Sequence, residues 1–207
     1  MHGYQIITVG DKKILQREKA VYDEDSNVVN LPDLKNVDGL LKKVTYIAPY
    51  TFTDSDIEEV NIPDNILFIG HAAFFGCKSL KKVTIGNGYK SIPVGCFENC
   101  ENLEEVNLSE GLTHVGTNAF LNCRKLKTIN IPSTVKFIGH DTFRNTAIKE
   151  LNIPNDAFFA GSLDFDVNCY CRLQFSHTHL FHALINKSLH QNQVYLQRKH
   201  RLECLIL

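Results

Sequence analysis

Apolar positions recur along this chain with a period of 23 residues, and polar positions fill the gaps in a constant order. The run Leu80-Lys-Lys-Val83-Thr-Ile85 is followed one period later by Leu103-Glu-Glu-Val106-Asn-Leu108. Four frames align, opening at Ile57, Leu80, Leu103 and Leu126. Each continues through Val60/Val83/Val106/Ile129, Ile62/Ile85/Leu108/Ile131, Ile66/Tyr89/Leu112/Val135, Ile69/Ile92/Val115/Ile138 and Phe74/Phe97/Phe120/Phe143. Cys77, Cys100 and Cys123 close three frames and Thr146 closes the fourth. A truncated unit with Leu41, Val44, Ile47 and Phe52 precedes them, and a fifth begins one residue early at Ile148 and loses the pattern after Phe159. A unit of this length buries its apolar side chains only by stacking on copies of itself, which predicts a solenoid.

The spacing within a unit predicts its elements. Val106-Asn-Leu108 alternates, so it reads as a short strand with Val and Leu inward and Asn107 outward. Pro63, Pro132 and Pro154 end that strand, because proline cannot donate to a ladder. A second strand-like piece spans Leu112 to Val115. Gly70, Gly116 and Gly139 follow it, where a turn with positive φ is expected. Asn118-Ala-Phe120-Leu-Asn-Cys123 then reads as a short helical turn that drops Phe120 and Cys123 inward. Each unit offers six or seven apolar side chains, and a large one contributes ~1.5–3 kcal/mol when fully buried.

The phrase Leu126-Lys-Thr-Ile129-Asn-Ile131-Pro132, then Val135-Lys-Phe-Ile138-Gly139, then Thr142-Phe143 resembles the BspA-like class of leucine-rich repeats over about residues 41–159. Departures are Gly86 and Ser109 in place of Pro, Pro93 in place of Gly, and Cys96 and Thr142 in place of Ala. The resemblance implies an α/β-type, mostly β repeat solenoid. It would be right-handed, with about five coils of short parallel strands and short helical turns. Such repeats are associated with adhesion and protein recognition, and members are often secreted or displayed on surfaces.

Composition narrows the function. The chain has 207 residues and a formal charge of −1 from 22 basic and 23 acidic side chains. That balance gives no electrostatic case for nucleic acid. No apolar run is long enough to insert in a membrane, and the apolar stretch near Met1 is too short for a signal peptide. A cytoplasmic location is expected if the chain is complete, and a secreted or surface location if it is a fragment. The periodic cysteines predict an interior ladder of small hydrophobes rather than a disulfide framework.

Residues 1–40 carry no repeat. Tyr4 to Val9, Gly10-Asp11 and Ile14-Leu15 predict a β-hairpin that caps the first coil, the alternative being a separate functional element. The segment 160–207 holds five of the nine histidines. Leu180, Phe181, Leu184, Ile185 and Leu189 form a helical stripe, and a second helix candidate spans Gln193 to Leu207. A helical C-terminal cap is expected there, or else a tail that meets a partner.

Outward positions supply the binding candidates. Glu59, Lys82, Glu105 and Thr128 fall on one line, and Glu58, Lys81, Glu104 and Lys127 on the line beside it. Strands stacked ~4.8 Å apart place opposite charges side by side, which fixes register and also offers a mixed-charge surface to a protein. Asn61, Thr84, Asn107 and Asn130 form a further line. On the second strand piece Phe68 and Phe137 point outward, with Ser91 and His114 between them.

Catalytic chemistry finds little support. The inward cysteines should be inert, and Gly86-Asn-Gly88 lacks the lysine and helix of a phosphate loop. Cys169 and Cys171 with His177, His179 and His182 are zinc-type ligands, but their spacing fits no familiar module. The reading is a non-enzymatic scaffold without a cofactor. It binds an unidentified protein partner through the outward strand faces, and its oligomeric state is open. The alternatives are a structural or adhesive segment of a larger surface protein, and a zinc protein using the 169–182 cluster.

Overall fold

In the computed structural model, residues 4–17, 37–149, 151–154 and 157–160 are described. The chain opens with a hairpin of β1 (Tyr4–Val9) and β2 (Lys12–Arg17), turned at Gly10 with φ 63°. A single-turn helix, α1 (Asp38–Leu41), leads into the coils. Four whole coils follow, opening at Ile57, Leu80, Leu103 and Leu126, with partial turns on either side.

Each coil has three sides. The first carries β4 (Glu59–Ile62), β6 (Lys82–Ile85) and β8 (Glu105–Asn107), which pair in parallel with Val60, Val83 and Val106 aligned. The second carries β3 (Tyr46–Ile47), β5 (Phe68–Ile69), β7 (Ser91–Ile92), β9 (His114–Val115), β10 (Phe137–Ile138) and β11 (Phe158–Phe159). The hairpin joins this side, because β2 pairs in parallel with β3. Alternation decides which side chains enter: β4 reads exposed, buried, exposed, buried along Glu59-Val60-Asn61-Ile62.

The third side is an arc, not the short helix expected from the sequence. Asn118 and Asn122 both have positive φ (57° and 62°), and so do Asn99, Asp141, Asn145 and Ala72 at equivalent positions. Left-handed residues four apart cannot sit in one α-helix. The arc's amides instead donate to the next coil. Asn118, Phe120 and Asn122 bond the carbonyls of His140, Thr142 and Arg144 at 2.9, 3.0 and 3.0 Å.

Ala72, like Tyr50 (φ 57°) in the truncated unit, departs from these turn residues, since alanine lacks the local hydrogen bonding that makes Asn tolerant of this region. Its strain of ~1–2 kcal/mol exceeds the ~0.4–1 kcal/mol by which glycine favours the unfolded chain. Ala72→Gly should therefore raise stability by about 0.5 kcal/mol, read as a higher urea midpoint with an unchanged slope.

Inside the arc, aromatic rings stack along the axis. Centroids lie 4.9 Å apart for Phe52 and Phe74, then 5.3, 5.5 and 5.8 Å through Phe97, Phe120 and Phe143. Tyr4 of the hairpin ends the stack 5.3 Å from Phe52, so β1 closes the N-terminal end of the core.

The glycines after the second strand serve a purpose other than the one their position suggests. Gly70, Gly116 and Gly139 do not have positive φ. A Cβ on Gly139 would collide with the Thr117 backbone, one on Gly70 with the Pro49 backbone, and one on Gly116 would lie 2.7 Å from the Pro93 carbonyl carbon. They are glycine because successive coils touch there.

Where Pro93 replaces that glycine, the second sheet divides into β1-β2-β3-β5 and β7-β9-β10-β11. The amides of Gly70, Gly116 and Gly139 donate to Ile47, Ile92 and Val115, each at 2.8 Å. Pro93 has no amide for the Ile69 carbonyl. The Tyr89 hydroxyl donates to it instead, at 3.3 Å.

Candidate functional site

Two outward surfaces compete. On the first sheet, Glu59, Lys82 and Glu105 share one register line and Asn61, Thr84 and Asn107 another. Lys82 Nζ lies 2.9 Å from Glu105 Oε1, and the Asn107 amide donates to the same carboxylate at 2.7 Å. Hydrogen bonding to Lys82 lowers the pKa of Glu105, and Glu105 in turn raises that of Lys82. Lys81 meets Glu58 at 3.3 Å. Asn61 does not lie free in an amide line. Its backbone and side-chain amides donate to Asp38 of α1 at 3.1 and 2.7 Å. This face is polar and largely satisfied within itself.

Its ladder stops at β8. Residues 126–131 are not a strand, so Thr128 and Asn130 lie exposed beyond the last rung. Lys127 was expected opposite Glu104, yet Glu104 meets Lys125 at 3.7 Å, because the ladder that would hold Lys127 in register has ended. A cleft of about 540 Å³ opens there, lined by Glu110, Asn130, Ser133 and Asn152.

The second sheet presents a different surface. Ile7, Ile14, Tyr46 and Phe68 are aligned by strand pairing, and so are Ser91, His114, Phe137 and Phe158. Phe68 and Phe158 are 49 % and 48 % exposed, in contrast to the buried Phe120. Centroids lie 5.9 Å apart for Tyr46 and Phe68 and 6.0 Å apart for both His114/Phe137 and Phe137/Phe158. The Lys12 ammonium sits 4.9 Å from the Tyr46 centroid. The sequence reading found Phe68 and Phe137 but missed Tyr46 and Phe158, which lie in the truncated first and last units.

It also missed a true amide ladder, on the arc. The Asn122 amide donates to Asn99 at 2.7 Å and that of Asn145 to Asn122 at 2.8 Å. The signal was present as asparagine at positions 99, 122 and 145.

Among the described residues the four thiols are all buried in the interior. The thiols of Cys77, Cys100 and Cys123 donate to the carbonyls of Phe52, Phe74 and Phe97 at 3.0, 3.2 and 3.2 Å. Burial raises the pKa of Cys96 and of Cys100. Cys77 is lowered by its Cys100 and Ser55 contacts. It is nonetheless fully buried, so access rather than acidity governs it. Iodoacetamide should leave Cys77, Cys96, Cys100 and Cys123 unmodified in the native protein and label all four in denaturant, as read by peptide mapping.

Cys169, Cys171, His177, His179 and His182 lie outside the described residues, as do the predicted C-terminal helices. Among the described residues no group of three His, Cys, Asp or Glu side chains is placed to hold a metal ion. No helix among them is long and apolar enough to cross a membrane.

The model of the BspA type leucine rich repeat region matches residues 45–171 in six copies. No curated protein matches the chain. Among solved structures, the pneumococcal vaccine antigen PcpA is 24 % identical, with 79 % of this chain and 45 % of that one covered and a TM-score of 0.55. A leucine rich cell surface protein from Faecalibacterium prausnitzii is 22 % identical, covering 78 % and 51 %, with a TM-score of 0.51. A leucine-rich repeat protein from Eubacterium ventriosum is 20 % identical, covering 67 % and 37 %, with a TM-score of 0.54. At these identities the likeness concerns the fold. This chain spans about half or less of each of those three proteins.

Proposed function

The chain belongs to the BspA-type leucine-rich repeat family, and on that premise we propose that it is a non-enzymatic scaffold that binds another protein through the outward faces of its stacked strands. The observation that carries this reading is the register. Successive coils present equivalent outward side chains at one spacing, over a core that consumes every inward position. A surface built this way adapts by substitution at outward positions without disturbing the coil.

Affinity capture from the source cell with mass spectrometry tests the reading. The control is a folded variant carrying Glu105→Lys and Asn107→Asp. A specific partner lost in the variant supports binding by the first sheet, and one retained points to the second. No specific partner in any fraction rejects the reading.

A second reading, a structural or adhesive segment of a larger surface protein, is favoured by the short span of the chain against its solved relatives. Protease treatment of intact cells tests it: loss of the protein supports surface display, and full protection opposes it.

A further inference from the structure

The outermost strand beside the first coil is β1, and among the described residues no strand pairs with its far edge. Which of its backbone groups face that edge follows from β2. The Lys13 and Leu15 carbonyls accept from the Thr45 and Ala48 amides at 2.9 and 2.8 Å, so those two residues direct their backbone groups to the β3 side. Their opposites on β1 are Thr8 and Ile6, and Tyr4 has the same parity. In an antiparallel pair such residues turn their N–H and C=O groups away from the neighbouring strand. Those of Tyr4, Ile6 and Thr8 therefore line the far edge of β1.

This strand also lacks the devices that keep an exposed edge unpaired. Soluble proteins blunt such edges with shortness, a bulge, a proline or a charged side chain. β1 has six residues and pairs with β2 in unbroken register, and Tyr4-Gln-Ile-Ile-Thr-Val9 holds neither proline nor charge. Ile6 lies on the line of Leu15 and Ile47, which are fully buried, yet it is itself 40 % exposed. It stands on the last strand of the sheet, with no further strand beside it to cover it.

We propose that this edge pairs with the same edge of a second copy of the chain, antiparallel about a twofold axis at Ile6. That axis alone uses all three free residues. Ile6 meets Ile6 of the second copy, while Tyr4 and Thr8 meet its Thr8 and Tyr4. Each such pair exchanges two main-chain hydrogen bonds, about six in all. The two Ile6 side chains then cover each other on the core-facing side. A strand of a different protein finds the same backbone groups, but an uncharged edge gives it nothing to recognise by charge. An identical strand matches by symmetry, residue against residue. The cations of the hairpin do not oppose the pairing. Lys13 and the second copy's Arg17 lie three strand spacings apart, ~14 Å, beyond the screening length of ~8 Å at physiological salt. The inference is independent of the scaffold reading above, because it concerns the edge of β1 and not the outward faces of the coils.

Sedimentation velocity of the full chain between about 1 and 100 μM should show a reversible dimer. Ile6→Lys and Ile6→Glu each place like charges opposite one another across the axis, and each should be monomeric with its circular dichroism unchanged. Mixed in equal amounts they should form a heterodimer, because the axis sets lysine against glutamate. Amide exchange followed by NMR gives a readout without any variant. In a solution where nine-tenths of the chain is paired, the amides of Ile6 and Thr8 should exchange about tenfold more slowly than in the dilute monomer. Those of Gln5 and Ile7, already bonded to β2, should change little. A chain that is monomeric throughout the range overturns the proposal. So does a dimer that survives either charge variant, or a mixture of folded variants that stays monomeric. Protection of the Ile6 and Thr8 amides in the dilute monomer also overturns it, since another segment of the same chain, such as residues 18–36, would then cover the edge. The wild-type sedimentation and exchange results decide the matter even if both variants misfold.

Discussion

Phe120→Ala should destabilise the protein by about 3–5 kcal/mol. Phe120 is fully buried between Phe97 at 5.5 Å and Phe143 at 5.8 Å, with interplanar angles of 10° and 4°. Truncation removes the ring's transfer energy and opens a cavity in mid-stack. The walls cannot collapse into it, because the arc backbone is held to its neighbours by the Phe97 and Phe120 amides. It also breaks two ring pairs, each worth ~0.5–1.5 kcal/mol beyond burial. In a chain of this size the melting midpoint should fall by about 6–20 °C. Phe137→Ala, which removes the same side chain from the outward line, should shift it far less. Equal shifts for the two variants would mean that the assignment of inward and outward faces is wrong. Because coils contact only their neighbours, hydrogen exchange should rise most in the coils from Leu103 to Thr146.

The contrast between these two phenylalanines shows what was legible in the sequence. Period and phase alone separate Phe120 from Phe137, since one position is phenylalanine in all four frames and the other only in the first and the fourth. The inward set Val60, Val83, Val106 and its companions followed from the same count, as did the buried cysteines. What the count could not supply was backbone conformation. The pattern Asn118 to Cys123 has helical spacing for its two inward residues, and only the positive φ at Asn118 and Asn122 separates an arc from a helix. Glycine was similarly ambiguous. The sequence places Gly70, Gly116 and Gly139 at a turn, but a residue without a Cβ serves a left-handed turn and a close approach equally well. On the surface, Tyr46 and Phe158 escaped notice because the frames that carry them are incomplete, and Asn61 was placed in an outward amide line without its partner because Asp38 lies before the first frame. Outward residues face no packing requirement, so their pairing depends on neighbours that a single frame does not contain.

Tyr89 and Pro93 were each visible as departures from the repeat, but their connection is a matter of hydrogen-bond satisfaction, and it makes a sharp prediction. Tyr89→Phe keeps the ring in the core and removes only the hydroxyl that reaches the Ile69 carbonyl at 3.3 Å. That residue is 1 % exposed, so its carbonyl has no ready access to water in exchange. Leaving a buried acceptor unpaired costs about 1–3 kcal/mol. Burial holds the Tyr89 pKa well above its ordinary value, so the hydroxyl remains a donor throughout the range in which the protein is handled. In a Pro93→Gly background the restored amide can donate to Ile69 as Gly116 donates to Ile92. The penalty for Tyr89→Phe should then shrink to a few tenths of a kcal/mol. A double-mutant cycle by urea denaturation measures this directly. A coupling near zero would show that the hydroxyl and the missing amide are unrelated. A coupling of about 1 kcal/mol or more would establish that one irregular coil corrects its own defect, and that the sheet break beside Ser91 is compensated in the interior of the fold.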